Sequence, residues 1–231
     1  MFDQKNLRQK RMRNLPRRRE ATKTPRRATP ILAFMTDAER TPAPEAALRT
    51  LPRGTLVIFR HYGAADRGAL GQRLAALARR RGLIFFVAGD RRLARQLKAD
   101  GLHLADGMVK RWALFAPSGS GIAFSAAAHD EAAVRRAAKA GACLVLMSPV
   151  FPTASHPGRP ALGLVRLATA CRRSPVPVLA LGGVGPENVR RALIAGASGI
   201  AGIGALPRLC RDPFGWHAKR SEALAAGREL V

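Results

Sequence analysis

The residues best suited to chemistry lie in the last third of the chain. Leu181-Gly182-Gly183-Val184-Gly185 runs into Pro186, and Gly199-Ile200-Ala201-Gly202-Ile203-Gly204-Ala205 follows soon after. Positions without side chains let backbone N–H groups approach an anion closely, so two such loops held together suit a phosphate. On that reading Gly182, Gly183, Gly202 and Gly204 contact a substrate, although tight turns alone would also call for glycine there. A second stretch, Ser148-Pro149-Val150-Phe151-Pro152-Thr153-Ala154-Ser155-His156-Pro157-Gly158, is polar, bracketed by prolines and unsuited to a core. Thr153 and Ser155 stand on alternate residues and can face one ligand, while His156 can hydrogen-bond a phosphate or transfer a proton. A plain surface loop has the same composition. His61 follows Arg60 at the end of an apolar run, which makes it a further candidate phosphate contact.

These residues need a scaffold, and the rest of the chain supplies its pattern. From residue 31 onward, short apolar runs alternate with longer Ala-, Arg- and Leu-rich stretches of helical period, as in repeated βα units. Strands are expected at Ile31 to Thr36, Thr55 to Arg60, Leu83 to Ala88, Gly101 to Leu104, Ile122 to Ala126, Cys143 to Ser148, Val176 to Leu181 and Ser198 to Ile203. Helices are expected at Pro42 to Leu51, Gly68 to Arg80, Asp90 to Lys98, His129 to Ala140, Leu164 to Arg172 and Pro186 to Ala195. Most strands are almost continuously apolar, which fits a parallel sheet covered on both faces. Eight units predict an α/β protein closed as a (β/α)8 TIM barrel. An open doubly wound sheet has the same alternation, but no GxGxxG follows the first strand. In a barrel the loops after the strands converge on one face, and those after strands seven and eight commonly hold phosphate.

Length and composition bound the remainder. With 231 residues, 47% of them hydrophobic, the chain suits one domain. The expected division is a basic leader over 1–28, a barrel over 29–210 and a helical C-terminal extension over 211–231. The formal charge is +25, and Met1 to Arg27 alone carry eleven Lys and Arg against Asp3 and Glu20. Such a segment is expected to stay solvated and to attract nucleic acid only non-specifically. Tyr62 is the one tyrosine, so the interleaved aromatics of a base-stacking surface are missing. No apolar run reaches the roughly 18 residues of a membrane span, and a cytoplasmic location is expected. Cys143, Cys171 and Cys210 have neither metal-site nor disulfide spacing and read as packed thiols. His103, within a strand, reads as a core histidine, and Trp112 as a packing residue. A homodimer is a common state for a soluble barrel.

Several motifs occur in one order: Gly89-Asp90-Arg91, Gly101-Leu102-His103-Leu104, Ser125 with His129 and Glu131, Ser148-Pro149-Val150-Phe151-Pro152-Thr153, Leu181-Gly182-Gly183-Val184, and Gly196-Ala197-Ser198-Gly199-Ile200-Ala201. Over Ala88 to Leu206 the chain resembles thiamine phosphate synthase and its TenI relatives, which are (β/α)8 barrels. The resemblance implies a transferase that joins a pyrimidine diphosphate to a thiazole phosphate with Mg2+ and releases pyrophosphate. It implies that Asp90 is a metal ligand, that Ser125 contacts the pyrophosphate or pyrimidine, and that Thr153 and Ser155 contact the thiazole phosphate. Gly183 and the backbone around Gly202 to Gly204 would complete the cradle, with Arg60 and His156 beside the chemistry. The chain departs from the family on the diphosphate side. Of a Gln-x-Arg-x-Lys pattern only Arg60 remains, in Ile58-Phe59-Arg60-His61-Tyr62, and Asp106 and Met108 stand where the family has glutamine and aspartate. Asp106 is then a displaced second metal ligand. A TenI-like thiazole tautomerase, or a barrel that binds a phosphorylated ligand without catalysis, is the alternative reading.

Overall fold

The computed structural model describes residues 31–115, 122–153, 160–203 and 206. Eight parallel strands close into a barrel in sequence order: β1 (Ile31–Met35), β2 (Leu56–Phe59), β3 (Ile84–Ala88), β4 (Gly101–Leu104), β5 (Ala123–Ala128), β6 (Leu144–Met147), β7 (Val178–Ala180) and β8 (Gly199–Gly202). Closure comes from β8 pairing with β1, where Ile31 lies opposite Gly199 and Phe34 opposite Gly202. Seven helices among the described residues cover the outside: α1 (Pro44–Thr50), α2 (Arg67–Arg81), α3 (Arg91–Gln96), α4 (Asp106–Phe115), α5 (Glu131–Lys139), α6 (Gly163–Arg173) and α7 (Val189–Ile194).

The apolar strands are explained by their two faces. Strand side chains alternate, so each strand feeds two cores. Ile31, Ala33, Met35, Leu56, Ile58, Ile84, Phe86, Leu144, Leu146, Leu179 and Ala201 fill the barrel interior. Their neighbours, among them Leu32, Phe34, Val57, Phe85, Val87, Phe124, Val145 and Ile200, pack outward on the helices. Phe86 reaches the axis against Gly101, where a Cβ would lie only 2.6 Å from its ring. Helix starts are capped by carboxylates: Asp66 accepts from Ala69 N, Asp90 from Leu93 N and Asp130 from Ala133 N. Gly82 ends α2 with φ 68°, a left-handed conformation that favours glycine.

Two expectations needed correction. Helix α4 was not anticipated, because Gly107 near its start and a mixed polar and apolar run gave no clear period; in the fold Trp112 of this helix packs on Phe124, with ring centroids 5.5 Å apart. Strand β5 runs two residues beyond its expected end at Ala126. Its alanines have little strand propensity of their own, but pairing of Ala126 to Ala128 with Val145 to Met147 carries it on. The basic leader, the C-terminal extension and Cys210 lie outside the described residues. Burial pushes the Cys143 thiol up to about 12, so it is a protonated packing group rather than a nucleophile.

Candidate active site

The alternation that fills the barrel also decides which side chains line its mouth. Two residues beyond an inward-facing position comes the next inward-facing position: Arg60 after Ile58, Ala105 after His103, His129 after Ala127, Ser148 after Leu146, Leu181 after Leu179, Ile203 after Ala201. These residues, with Met35, Tyr62, Pro149, Thr153 and Gly182, enclose a cavity of about 250 Å³ at the C-terminal ends of the strands. Every strand except β3 contributes. Among the described residues lining it, Arg60 is the one permanently charged side chain.

Arg60 is held from both ends. Its amide donates to Thr36 Oγ1 at 3.0 Å, and its guanidinium lies 3.7 Å from Asp37 Oδ2. Arg67, which the sequence reading missed, fixes the surrounding backbone: it donates to Arg60 O at 3.1 Å and Ala88 O at 2.9 Å, and lies 3.4 Å from Asp90 Oδ2. One side chain thereby ties the ends of β2 and β3 together.

On the opposite flank the β6 and β7 loops interlock. Val150 N donates to Leu181 O and Phe151 N to Gly182 O, around a cis Ser148-Pro149 bond. Gly182 and Gly183 have φ of 88° and 65°, and a Cβ on Gly183 would lie 2.2 Å from Pro152 O. Their glycine character serves this packing, and it leaves the Gly182 and Gly183 amides donating to none of the described residues. Asn188 closes the turn behind them, accepting from Gly185 N and donating to Gly183 O.

The histidines divide by depth. His103 forms the cavity floor, buried, with Nδ1 and Ser125 Oγ sharing a hydrogen bond of 2.9 Å. His129 lines the wall, and its Nδ1 lies 2.8 Å from Ser148 O. A carbonyl can only accept, so Nδ1 carries a proton and donates to it. His129 belongs to a motif quoted from the sequence, but its role was missed. Its parity with Ser125 and Ala127 on β5 was the available signal.

The remaining predicted residues fall as follows. Ser125 is fully buried one layer beneath the cavity, behind His103, and the residue that β5 presents to the mouth is Ala127. His61 also fails to reach the cavity. It is buried on the helix-facing side of the barrel, stacked on Phe59 at 5.6 Å, with Nδ1 2.9 Å from Thr36 Oγ1, and burial lowers its pKa. Thr153 lines the cavity, and Gly202 sits at the end of β8 with ordinary contact to Leu206. Ser155, His156 and Gly204 lie outside the described residues.

The expected metal ligands do not fit a magnesium site as arranged. Asp90 Oδ1 caps α3 while Oδ2 faces Arg67, and Asp106 Oδ1 accepts from Arg136 at 2.9 Å. Among the described residues no group of three or more carboxylates, histidines or cysteines could share a metal ion. Each carboxylate already faces a guanidinium, which competes with a cation for it.

Burial lowers the His103 pKa to about 4, with Arg60 adding repulsion. The unfolded chain therefore takes up this proton near pH 6.5 and the fold resists it until about 4. Stability from this group is complete above about pH 6.5 and declines as pH falls toward 4, by an amount on the order of 3 kcal/mol. Urea unfolding at pH 7.5 and pH 5 should show this decline in the parent chain. It should be smaller in His103→Asn, which keeps a partner for Ser125 but cannot titrate.

A closed parallel barrel with an anion-ready cavity at its C-terminal mouth is the general class of protein this geometry defines. Within that class, the family model for thiamine monophosphate synthase matches residues 32–206. The thiamine-phosphate synthase of Alcanivorax borkumensis is 35% identical over 178 residues, covering 75% of this chain and 81% of that protein. That of Bacillus velezensis is 30% identical over 181 residues, covering 73% and 80%. The thiamine phosphate pyrophosphorylase structure from Pyrococcus furiosus superposes with a TM-score of 0.68 at 24% identity, over 86% of this chain and 98% of that one. The chain belongs to the thiamine monophosphate synthase family.

Proposed function

We propose that this protein is a thiamine phosphate synthase-like transferase that couples a hydroxymethylpyrimidine diphosphate to a thiazole phosphate. The observation that carries the reading is the cavity mouth, where the Arg60 guanidinium and Gly182, whose amide and that of adjoining Gly183 donate to none of the described residues, offer two separate anion contacts. Two phosphorylated substrates require two such contacts. The glycine amides and Thr153 hold the single phosphate of the thiazole, and Arg60 faces the diphosphate.

The thiazole nitrogen attacks the pyrimidine methylene carbon, a C–N bond forms, and the C–O bond to the diphosphate breaks with its electron pair leaving on pyrophosphate. Negative charge grows on the leaving oxygen, and Arg60, fixed before reaction by Thr36 and Asp37, stabilises it without rearrangement. His129 lines the wall with Nδ1 committed to Ser148 O, which leaves Nε2 to hydrogen-bond the bound ring. Magnesium is the cofactor the family resemblance implies. Among the described residues no helix is long and apolar enough to cross a membrane, and a cytoplasmic biosynthetic role follows from the reading.

The test is formation of thiamine phosphate by purified protein given both substrates and magnesium. One pyrophosphate released per thiamine phosphate formed is the expected result. No product, with thiazole phosphate still binding by calorimetry, would overturn the synthase reading.

A further inference from the structure

The rim beside β3 is built differently from the rest of the mouth. Tyr62, two residues beyond Arg60, lines the cavity yet is 60% exposed. Met108, at the start of α4, is 39% exposed. These are two of the five large exposed hydrophobic residues among those described, and they meet at Gly89, where a Cβ would be 3.6 Å from Tyr62 Cε1 and 3.9 Å from Met108 Sδ. An exposed ring would ordinarily swing freely. Here the Arg67 guanidinium lies 5.3 Å from its centroid and the Arg60 guanidinium 5.9 Å, and Arg67 is itself anchored by its bonds to Arg60 O and Ala88 O.

The charges around this rim are already matched. Asp37 faces Arg60, Asp90 faces Arg67 and Asp106 faces Arg136, so the nearest carboxylates are compensated by guanidiniums. What the rim presents to a ligand is an oriented phenol ring, a polarizable thioether and the side-chain-free Gly89 that leaves room between them. That combination receives a flat aromatic ring by stacking and sulfur contact. It does not receive a hydrated divalent cation.

We infer that Tyr62 is a specificity-determining residue that stacks the planar heterocycle of the substrate at the cavity rim, and that this ring is bound without a protein-held metal ion. The inference rests on the synthase reading for the identity of the ring. Tyr62 is exposed, so its replacement leaves the fold intact and the effect is read in binding.

Calorimetry with hydroxymethylpyrimidine monophosphate as the probe tests it, using the full chain with magnesium and again with EDTA, for the parent protein, Tyr62→Phe and Tyr62→Ala. The expected dissociation constants agree within about twofold between magnesium and EDTA, stay near the parent value in Tyr62→Phe, and weaken about tenfold in Tyr62→Ala. An unchanged constant in Tyr62→Ala overturns the inference, as does an affinity that EDTA lowers tenfold or more. The two readings fail separately. A probe that binds in a Tyr62-dependent way while no thiamine phosphate forms removes the synthase reading and keeps the ring shelf. Product formed at the parent rate and KM by Tyr62→Ala removes the shelf and keeps the synthase.

Discussion

A Gly199→Ala variant is expected to lose the cooperative fold of the parent chain. The added methyl would lie 2.0 Å from Ile31 O, 2.5 Å from Ile31 N and 2.7 Å from Ile31 C. All three are backbone atoms of β1, and Ile31 is the residue paired with Gly199 at the seam where β8 closes the barrel. A flexible side chain could swing away from such a contact, but a strand in a closed sheet moves only if its neighbours move. Overpacking a core commonly costs about 1–3 kcal/mol even where side chains can adjust. With backbone on both sides of the contact the cost should exceed roughly 3 kcal/mol, a large part of the roughly 5–15 kcal/mol available to a domain. Urea denaturation should show a much lower midpoint, or a shallow transition from a barrel that no longer closes. Gly202→Ala, three residues along the same strand, is the internal comparison. Its nearest contact among the described residues would be Leu206 Cβ at 3.5 Å, ordinary van der Waals distance, and its midpoint should move by less than about 1 kcal/mol equivalent. Equal effects at the two positions would mean that the β1–β8 seam does not limit stability.

That seam was partly legible in the sequence. The eight apolar runs gave every strand within two residues or so at either end, because burial on both faces of a parallel strand leaves a composition signal that needs no partner to read. Residues whose state depends on a neighbour were harder. Ala126 to Ala128 become strand through β6, and Ser125, which the family resemblance made a substrate contact, is a buried partner of His103. His61 was misplaced for a related reason. Its position after Arg60 suggested the mouth, but at φ 29° its ring turns under Thr36 and onto Phe59, a geometry no linear pattern reveals. Arg67 and Arg136 were invisible as site residues because their significance is the carboxylate each one occupies, and pairs 23 and 30 residues apart leave no local trace. What the sequence did expose was the glycine pair at 182 and 183, since only glycine satisfies a positive φ and a close loop approach together.

Arg60→Ala is expected to lower kcat/KM for thiamine phosphate formation by about 10²–10³-fold, the range found when a preorganised donor to a developing oxyanion is removed. The size of the effect follows from isolation. Among the described residues lining the cavity no other side chain carries a permanent charge, and His103 on the floor is neutral down to about pH 4. Fold stability should change little, because Arg60 and Asp37 are 3.7 Å apart and partly exposed, a pair worth about 0–1 kcal/mol. Arg60→Lys separates charge from shape: it keeps the cation but loses the planar fork that can hold two phosphate oxygens at once, and should recover only part of the rate. The loss should appear mainly in kcat if Arg60 acts on charge that develops as pyrophosphate departs, and mainly in KM if it only docks the diphosphate. A fall of less than tenfold in Arg60→Ala would mean that the departing charge is stabilised elsewhere.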